Sequence, residues 1–317
     1  MNHRDAEGEA TTLEQFAARA KGIRVVCLGL SALDQIWQVE QLFTGVSEKI
    51  KAAEYTTAGG GMAANAAVTV ARLGGASVFW GRGGDDPAGH EMHAALAREG
   101  IDVSHFRLFT DGRSSVSGVI VDNSGERQIV NFRGRFPAEA DWLPLDKLGG
   151  TSAVLADPRW AEGAAALFAT ARRLRIPTIL DADVADAQVF EQLLPLADHA
   201  VFSEPALRRY AGSADDRALA SFARFNCRVT AVTRGSSGVS WYQEGQVKIC
   251  PAFPVVAIDT TGAGDVFHGA YALAVGAGLI VADAMSFASA AAALKCTRAG
   301  GRSAIPFIDD CLAFMRT

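Results

Sequence analysis

The string Asp259-Thr260-Thr261-Gly262-Ala263-Gly264-Asp265-Val266-Phe267 holds the residue types best suited to chemistry. Its glycines let the backbone turn tightly and come close to a ligand. The small, apolar stretch Val266–Ala277 behind it reads as a helix. A helix start leaves N–H groups without partners at the positive end of its dipole. Gly262, Ala263 and Gly264 would therefore form an anion hole suited to a phosphoryl group in transfer. Asp265, in the first turn beside that hole, is placed to accept the proton of an attacking hydroxyl. A lone Gly-x-Gly is more often a plain helix cap than a site, but the two aspartates framing this turn make the string far more specific.

The other candidates stand where apolar runs end. Asp34 follows the run Ile23–Leu30, and Gly59-Gly60-Gly61 precedes a stretch of small residues, Met62–Leu73, that contains Asn65. Asp181-Ala182-Asp183 and the turn Thr233-Arg234-Gly235-Ser236-Ser237-Gly238 each follow a short β-like run. The plainer readings are a turn residue for Asp34, helix packing for Asn65 and a cap for the Asp181–Asp183 pair.

These residues need a frame. The chain has 317 residues, 49% hydrophobic and 21% charged, enough for a large core in one α/β unit or two smaller ones. Lys and Arg number 30 against 35 Asp and Glu, a net charge of −5, which argues against a general nucleic-acid binder. A local basic pocket remains allowed. The cysteines, Cys27, Cys227, Cys250, Cys296 and Cys311, are scattered singly. That favours neither a disulfide framework nor a zinc ribbon, and fits a reducing, cytoplasmic setting. No run approaches the ~18 apolar residues of a membrane span. Residues 1–22 lack the apolar centre of a signal peptide and read as a tail with a helix near Thr12–Ala20.

From Ile23 onward, short Val-rich runs alternate with helical stretches. Strands are expected at Ile23–Leu30, Ser77–Trp80, Ala153–Ala156, Thr178–Leu180, Ala200–Phe202, Val229–Val232 and Val239–Tyr242, with a loop at Gly81–Gly84. This alternation predicts a doubly wound, mostly parallel α/β sheet with helices on both faces over residues 23–317. Two polar β-like segments, 35–57 and 113–133, interrupt it and predict a small β flap. Exposed flap edges want partners, so a homodimer through the flap is expected.

The residues so far resemble the PfkB (ribokinase-like) family of carbohydrate kinases. Asp259–Phe267 is similar to its C-terminal signature, and Gly60-Gly61-Met62-Ala63-Ala64-Asn65 to its N-terminal Gly-Gly…Asn motif. Gly81–Gly89 resembles the loop that follows it, and Thr233–Gly238 its nucleotide-side Thr-x-Gly turn. The resemblance implies ATP and Mg²⁺ as cofactors and phosphorylation of a sugar hydroxymethyl group. It implies Asp265 as the base and Gly262, Ala263 and Gly264 as the anion hole. Asp34, Gly60, Gly61 and Asn65 would hold the sugar, and Thr233, Gly235 and Gly238 the nucleotide. It also implies a monovalent cation such as K⁺ near Asp259, Thr261 and Arg298–Ser303, unless Arg298 or Arg302 fills that space with its own charge. The family often carries Asn-x-x-Glu near the metal's water shell. Here the stretch is Ser203-Glu204-Pro205-Ala206, so the metal-site residues stay unknown, with Asp181 and Asp183 as candidates.

Within the family, Leu155–Trp160, Phe202–Pro205 and Lys295–Arg302 look like sulfofructose kinases. That implies O1 of 6-deoxy-6-sulfofructose as the acceptor, with Arg159, Asn131 and Lys49 on the sulfonate. The plainer readings are a structural ion pair for Arg159 and a solvated charge for Lys49. A kinase for a neutral ketose, a sugar acid or a nucleoside remains an alternative, as does a non-catalytic sugar sensor.

Overall fold

The computed structural model describes residues 13–45, 49–225 and 227–316. After α1 (Leu13–Ala20), the chain alternates through β1 (Arg24–Gly29), β2 (Ala32–Val39), β3 (Ala52–Gly60), α2 (Met62–Arg72), β4 (Ala76–Gly84), α3 (Pro87–Arg98) and β5 (Asp102–Phe109). A hairpin, β6 (Val116–Val121) and β7 (Arg127–Phe132), comes next. The alternation resumes with β8 (Ala153–Ala156), α4 (Ala161–Arg173), β9 (Thr178–Ala182), α5 (Ala187–Leu193), β10 (His199–Ser203), α6 (Glu204–Ala211) and α7 (Asp216–Ser221). Strands β11 (Val229–Thr233), β12 (Val239–Gln243) and β13 (Gln246–Cys250) precede the closing helices α8 (Ala263–Gly276), α9 (Val281–Cys296) and α10 (Ile308–Met315).

Nine strands form one sheet in the order β13-β12-β11-β10-β9-β8-β1-β4-β5. All its pairings are parallel except those of β12 and β13, at one edge. The central strands β8 and β9 are buried along their whole length and mostly apolar, as strands covered on both faces tend to be. One buried cluster lies under α2, α8 and α9, and a second under α4, α5 and α6. Strand β1 lies between β4, the next strand of this sheet along the chain, and β8, which comes much later. The connection after β1 runs toward β4 on one side and that after β8 toward β9 on the other, which opens a crevice at the carboxyl ends of the strands.

The two interrupting segments supply a separate four-stranded sheet, β3-β2-β6-β7. Residues 46–48 of the first segment and residues 1–12 of the expected tail lie outside the described residues. Several boundaries move. Gly81–Gly84, expected as a loop, continues β4 beside β5. Asp34 lies inside β2, paired with Ala58 and Ser117, rather than in a turn after β1. Helix α8 begins at Ala263, not Val266, with Gly262 as its N-cap at φ 76°, a left-handed conformation that glycine adopts without a Cβ penalty. Residues 13–20 are no free tail: Phe16 is fully buried, its ring edge-on to Phe287 of α9 at 4.7 Å.

Gly61, between β3 and α2, has φ 95°, and a Cβ there would lie 2.4 Å from the Leu30 carbonyl oxygen. That neighbour is backbone and cannot rotate aside. Gly61→Ala should lower the unfolding free energy by about 3 kcal/mol, read as a fall in the urea midpoint at unchanged slope.

Candidate active site

The crevice is built around Asp157, the first residue after β8. Its Oδ2 accepts from the Leu30 N–H at 2.7 Å and the Ala63 N–H at 3.1 Å, and its Oδ1 from the Arg159 N–H at 2.8 Å. One buried carboxylate thus joins the ends of β1 and β8 to the start of α2. Gly29 makes the approach feasible, since a Cβ there would sit 2.3 Å from the Asp157 carboxylate. Gly60 and Gly61, expected to line a sugar, also serve packing: a Cβ on Gly60 would meet the Asp34 carboxylate at 2.4 Å.

Asp265 stands in the first turn of α8, and its Oδ2 accepts from Asn65 Nδ2 at 2.7 Å. Asn65, buried on α2, in turn accepts through Oδ1 from Arg302 Nε at 2.9 Å, and Arg302 NH2 donates to the Gly60 carbonyl at 2.8 Å. Burial, with the Asp181 carboxylate nearby, pushes the Asp265 pKa up to about 7, while Asn65 and His268 restrain it. Asp34 is also raised by burial, against the pull of the Ser117 hydroxyl and the Arg302 charge. Of the expected anion-hole donors, Ala263 N–H is bonded to the Thr260 carbonyl at 3.2 Å. The N–H groups of Gly264 and Asp265, second and third in the helix, have no helical acceptor.

The smaller sheet brings further expected residues together. Asp34, Ser117 and Asn131 are register partners across β2, β6 and β7, and Asn131 Nδ2 donates to Ser117 Oγ at 3.0 Å. Asn131 and Arg159 line a cavity of about 710 Å³, together with Arg82, Arg133, Arg209 and one carboxylate, Asp186. Arg159 is already engaged, donating to the Asp183 carboxylate at 2.9 Å and the Val184 carbonyl at 2.7 Å. Its plainer reading as an ion pair therefore holds, alongside its place on the cavity. Lys49 is exposed and is not among the residues lining that cavity.

Thr233 ends β11, and its hydroxyl donates to the Phe202 carbonyl at 3.3 Å. Gly235 and Gly238 take φ 53° and 87° in the tight turn into β12, where a Cβ on Gly238 would meet the Cys250 carbonyl at 2.3 Å. The degenerate motif has clear local roles. Ser203 caps α6 and donates to Asp183 at 3.1 Å, and Glu204 pairs with Arg208 on the same helix. Asp181 is buried, and its Oδ2 has no hydrogen-bond partner among the described residues.

Asp259, the first residue of the signature, is a hub. It accepts from the N–H groups of Thr261, Gly300 and Gly301 and from Arg127 of β7 at 2.9 Å, and Arg127 also bonds the Thr261 hydroxyl. Burial opposes ionisation, but these donors hold the Asp259 carboxyl well below the usual range. Neither Arg298 nor Arg302 is drawn to Asp259: Arg298 pairs with Asp310, and Arg302 holds Asn65 and Gly60.

Four residues of this network were not among the expected site positions: Asp157, Arg127, His268 and Arg302 in its bond to Asn65. His268 lies one turn after Gly264, with Nδ1 2.7 Å from the Gly264 carbonyl oxygen and Nε2 3.4 Å from Asp181. The available signals were a charged residue ending an apolar run for Asp157 and a histidine inside an apolar helix for His268.

The profile described as pfkB family carbohydrate kinase matches residues 23–308. The fructokinase of Klebsiella pneumoniae is 36% identical over 282 residues, covering 79% of this chain and 90% of that one. The ribokinase of Haemophilus influenzae is 29% identical over 284 residues, covering 86% and 92%. Among solved structures, ribokinase from Thermotoga maritima superposes with a TM-score of 0.82 at 28% identity, covering 93% of this chain and 99% of that one.

The Asp265 carboxyl should titrate near pH 7 when followed by carboxyl-carbon NMR. Asn65 donates to the charged form, so Asn65→Leu should move that midpoint upward. An unmoved midpoint would show that the bond is not formed in solution.

Proposed function

Since the chain belongs to the PfkB family of carbohydrate kinases, ATP-dependent phosphotransferases, we propose that it phosphorylates a hydroxymethyl oxygen of a ketose carrying an anionic group at its far end, with O1 of 6-deoxy-6-sulfofructose the leading acceptor. The observation that carries the anionic substituent is the cavity wall. Arg82, Arg133, Arg159 and Arg209 gather there with Asn131, on a chain whose net charge is −5. A planar guanidinium suits a sulfonate or phosphate oxyanion. Among the described residues, Arg159 pairs with Asp183, Arg209 lies 3.9 Å from Asp186 and Arg82 donates to the Pro137 carbonyl, whereas Arg133 has neither an ion pair nor a hydrogen bond.

Asp34, joined to Asn131 through Ser117, would grip the sugar hydroxyls. Asp265 takes the proton of the attacking hydroxyl, whose oxygen bonds to the γ-phosphorus as the bond from phosphorus to the ADP oxygen breaks. A base poised near 7 is half ionised at neutral pH and still basic enough to accept that proton. The Gly264 and Asp265 N–H groups face the phosphoryl oxygens. The turn Thr233–Gly238 flanks the nucleotide.

A Mg²⁺ that travels with ATP takes most of its ligands from phosphate and water and needs only one or two carboxylates. Asp181, with its unpartnered Oδ2, and Asp183, partly exposed beside it, fit that need. The ion would neutralise charge on the phosphates. The smaller sheet would act as a flap that excludes water from the transfer. Its outer face, with Tyr55, Val130 and Phe132 exposed, supports a homodimer through the flap. No helix among the described residues is long and apolar enough to cross a membrane, and the cysteines are free, which supports the cytoplasmic expectation.

A neutral ketose is the second reading. It is favoured by the Klebsiella pneumoniae relative, named a fructokinase, and by the prior engagement of Arg159.

Asp265→Asn should cost about 10²–10⁴-fold in kcat while both substrates still bind, and wild-type kcat/KM should rise with pH through about 7 and then level. Wild-type turnover in this variant would remove Asp265 from the base role. For the acceptor, the wild type should prefer sulfofructose to fructose. Arg133→Ala should lower kcat/KM for sulfofructose by about one to two decades, the worth of one charge-assisted contact, and leave fructose unaffected. Equal turnover of the two sugars by the wild type would select the neutral reading.

A further inference from the structure

Lys295, in the last turn of α9, has no solvent-exposed surface. Lysine is almost never buried to this extent without a dedicated partner. Its Nζ donates to the Asp259 carbonyl at 2.7 Å and lies 3.5 Å from the Asp259 carboxylate. The same segment is tied to α9 a second time, because the Cys296 carbonyl accepts from the Ile258 and Asp259 N–H groups at 2.7 and 3.2 Å. The ammonium also sits at the carboxyl end of α9, where the helix dipole favours a cation.

Asp259 opens the glycine turn. Its carboxylate holds Thr261 N–H on one side and Gly300 and Gly301 N–H on the other. A buried positive charge on its carbonyl and carboxylate fixes both oxygens, and through them the direction in which the turn presents its N–H groups. A backbone carbonyl and a carboxylate oxygen of one residue meeting a buried positive charge is also the kind of contact a free monovalent cation would make at this place. Neither arginine of the C-terminal loop supplies that charge.

We propose that the Lys295 ammonium is a tethered monovalent cation that orders the glycine turn, so that this chain works without free K⁺ or Na⁺. Lys295 is a positioning residue: it touches the turn and neither substrate. The proposal uses the kinase reading only for its activity assay. Binding of a non-hydrolysable ATP analogue, followed by calorimetry, reads the same effect whichever sugar is the acceptor.

Three proteins compared at matched ionic strength in choline, sodium, potassium and ammonium chloride test it. The wild type should show the same kcat and analogue affinity in all four. Lys295→Ala should lose about 10- to 100-fold in kcat in choline, less than or comparable to removing an anion-hole donor outright, with sugar KM unchanged. It should regain most of the loss in potassium or ammonium, because the truncated side chain leaves room for the ion. Lys295→Met fills that room without charge, so it should show the loss and no rescue. Activation of the wild type by potassium over choline would overturn the proposal, as would wild-type kcat and affinity in Lys295→Met. A folded Lys295→Ala that no cation rescues would overturn it too. If Lys295→Ala fails to fold, the wild-type and Lys295→Met arms still decide.

Discussion

The Asp157 carboxylate is the constraint on which the crevice depends. It is fully buried, and burial raises its pKa against three backbone N–H donors. Each such bond to a charged acceptor contributes about 1.5–3 kcal/mol, and an uncompensated buried carboxylate would be far more costly. Its donors come from the ends of β1 and β8 and the start of α2, three places distant in the chain. Gly29 and Gly61 follow from that arrangement, because no side chain fits where these segments meet. With α2 anchored at Ala63, Asn65 is carried to Asp265, and the proposed base acquires its hydrogen bond.

A second layer connects the smaller sheet to the glycine turn. Arg127 and Asn131 lie on one face of β7, spaced by the two-residue period of a strand. Arg127 reaches Asp259 and Asn131 reaches Ser117, the neighbour of Asp34. One strand therefore touches both the expected sugar-binding row and the hub of the phosphate turn. The Arg127 bridge thus ties the position of the smaller sheet to that of the glycine turn.

Much of this was legible beforehand. The alternation of Val-rich runs and helical stretches led to the doubly wound sheet, and the polar β segments to the separate small one. The glycines and the small, apolar stretch after them pointed to a helix start beside Asp265, and α8 does begin there. What stayed hidden depended on three-dimensional partners. Asp157 looked like any residue after a strand, and its role exists only because β1 and α2 arrive beside it. Lys295 stood in the sequence only as the first residue of the Lys295–Arg302 stretch, and only burial against Asp259 distinguishes it. Gly81–Gly84 read as a loop because glycine is poor in strands, yet β5 supplies the pairing that keeps β4 extended.

The bond from Arg302 to Asn65 spans 237 positions, and that to Gly60 spans 242. Contacts so far apart in the chain form late, after much loop-closure entropy has been spent. A nascent chain could complete the β1–α2 half and still leave Asn65 Oδ1 without a donor. During synthesis from the N-terminus, the Asn65–Asp265 pair would lack its Arg302 donor until the loop after α9 had emerged. An incomplete chain with most of its sheet already assembled would therefore be folded in large part while the polar network around Asn65 was still open.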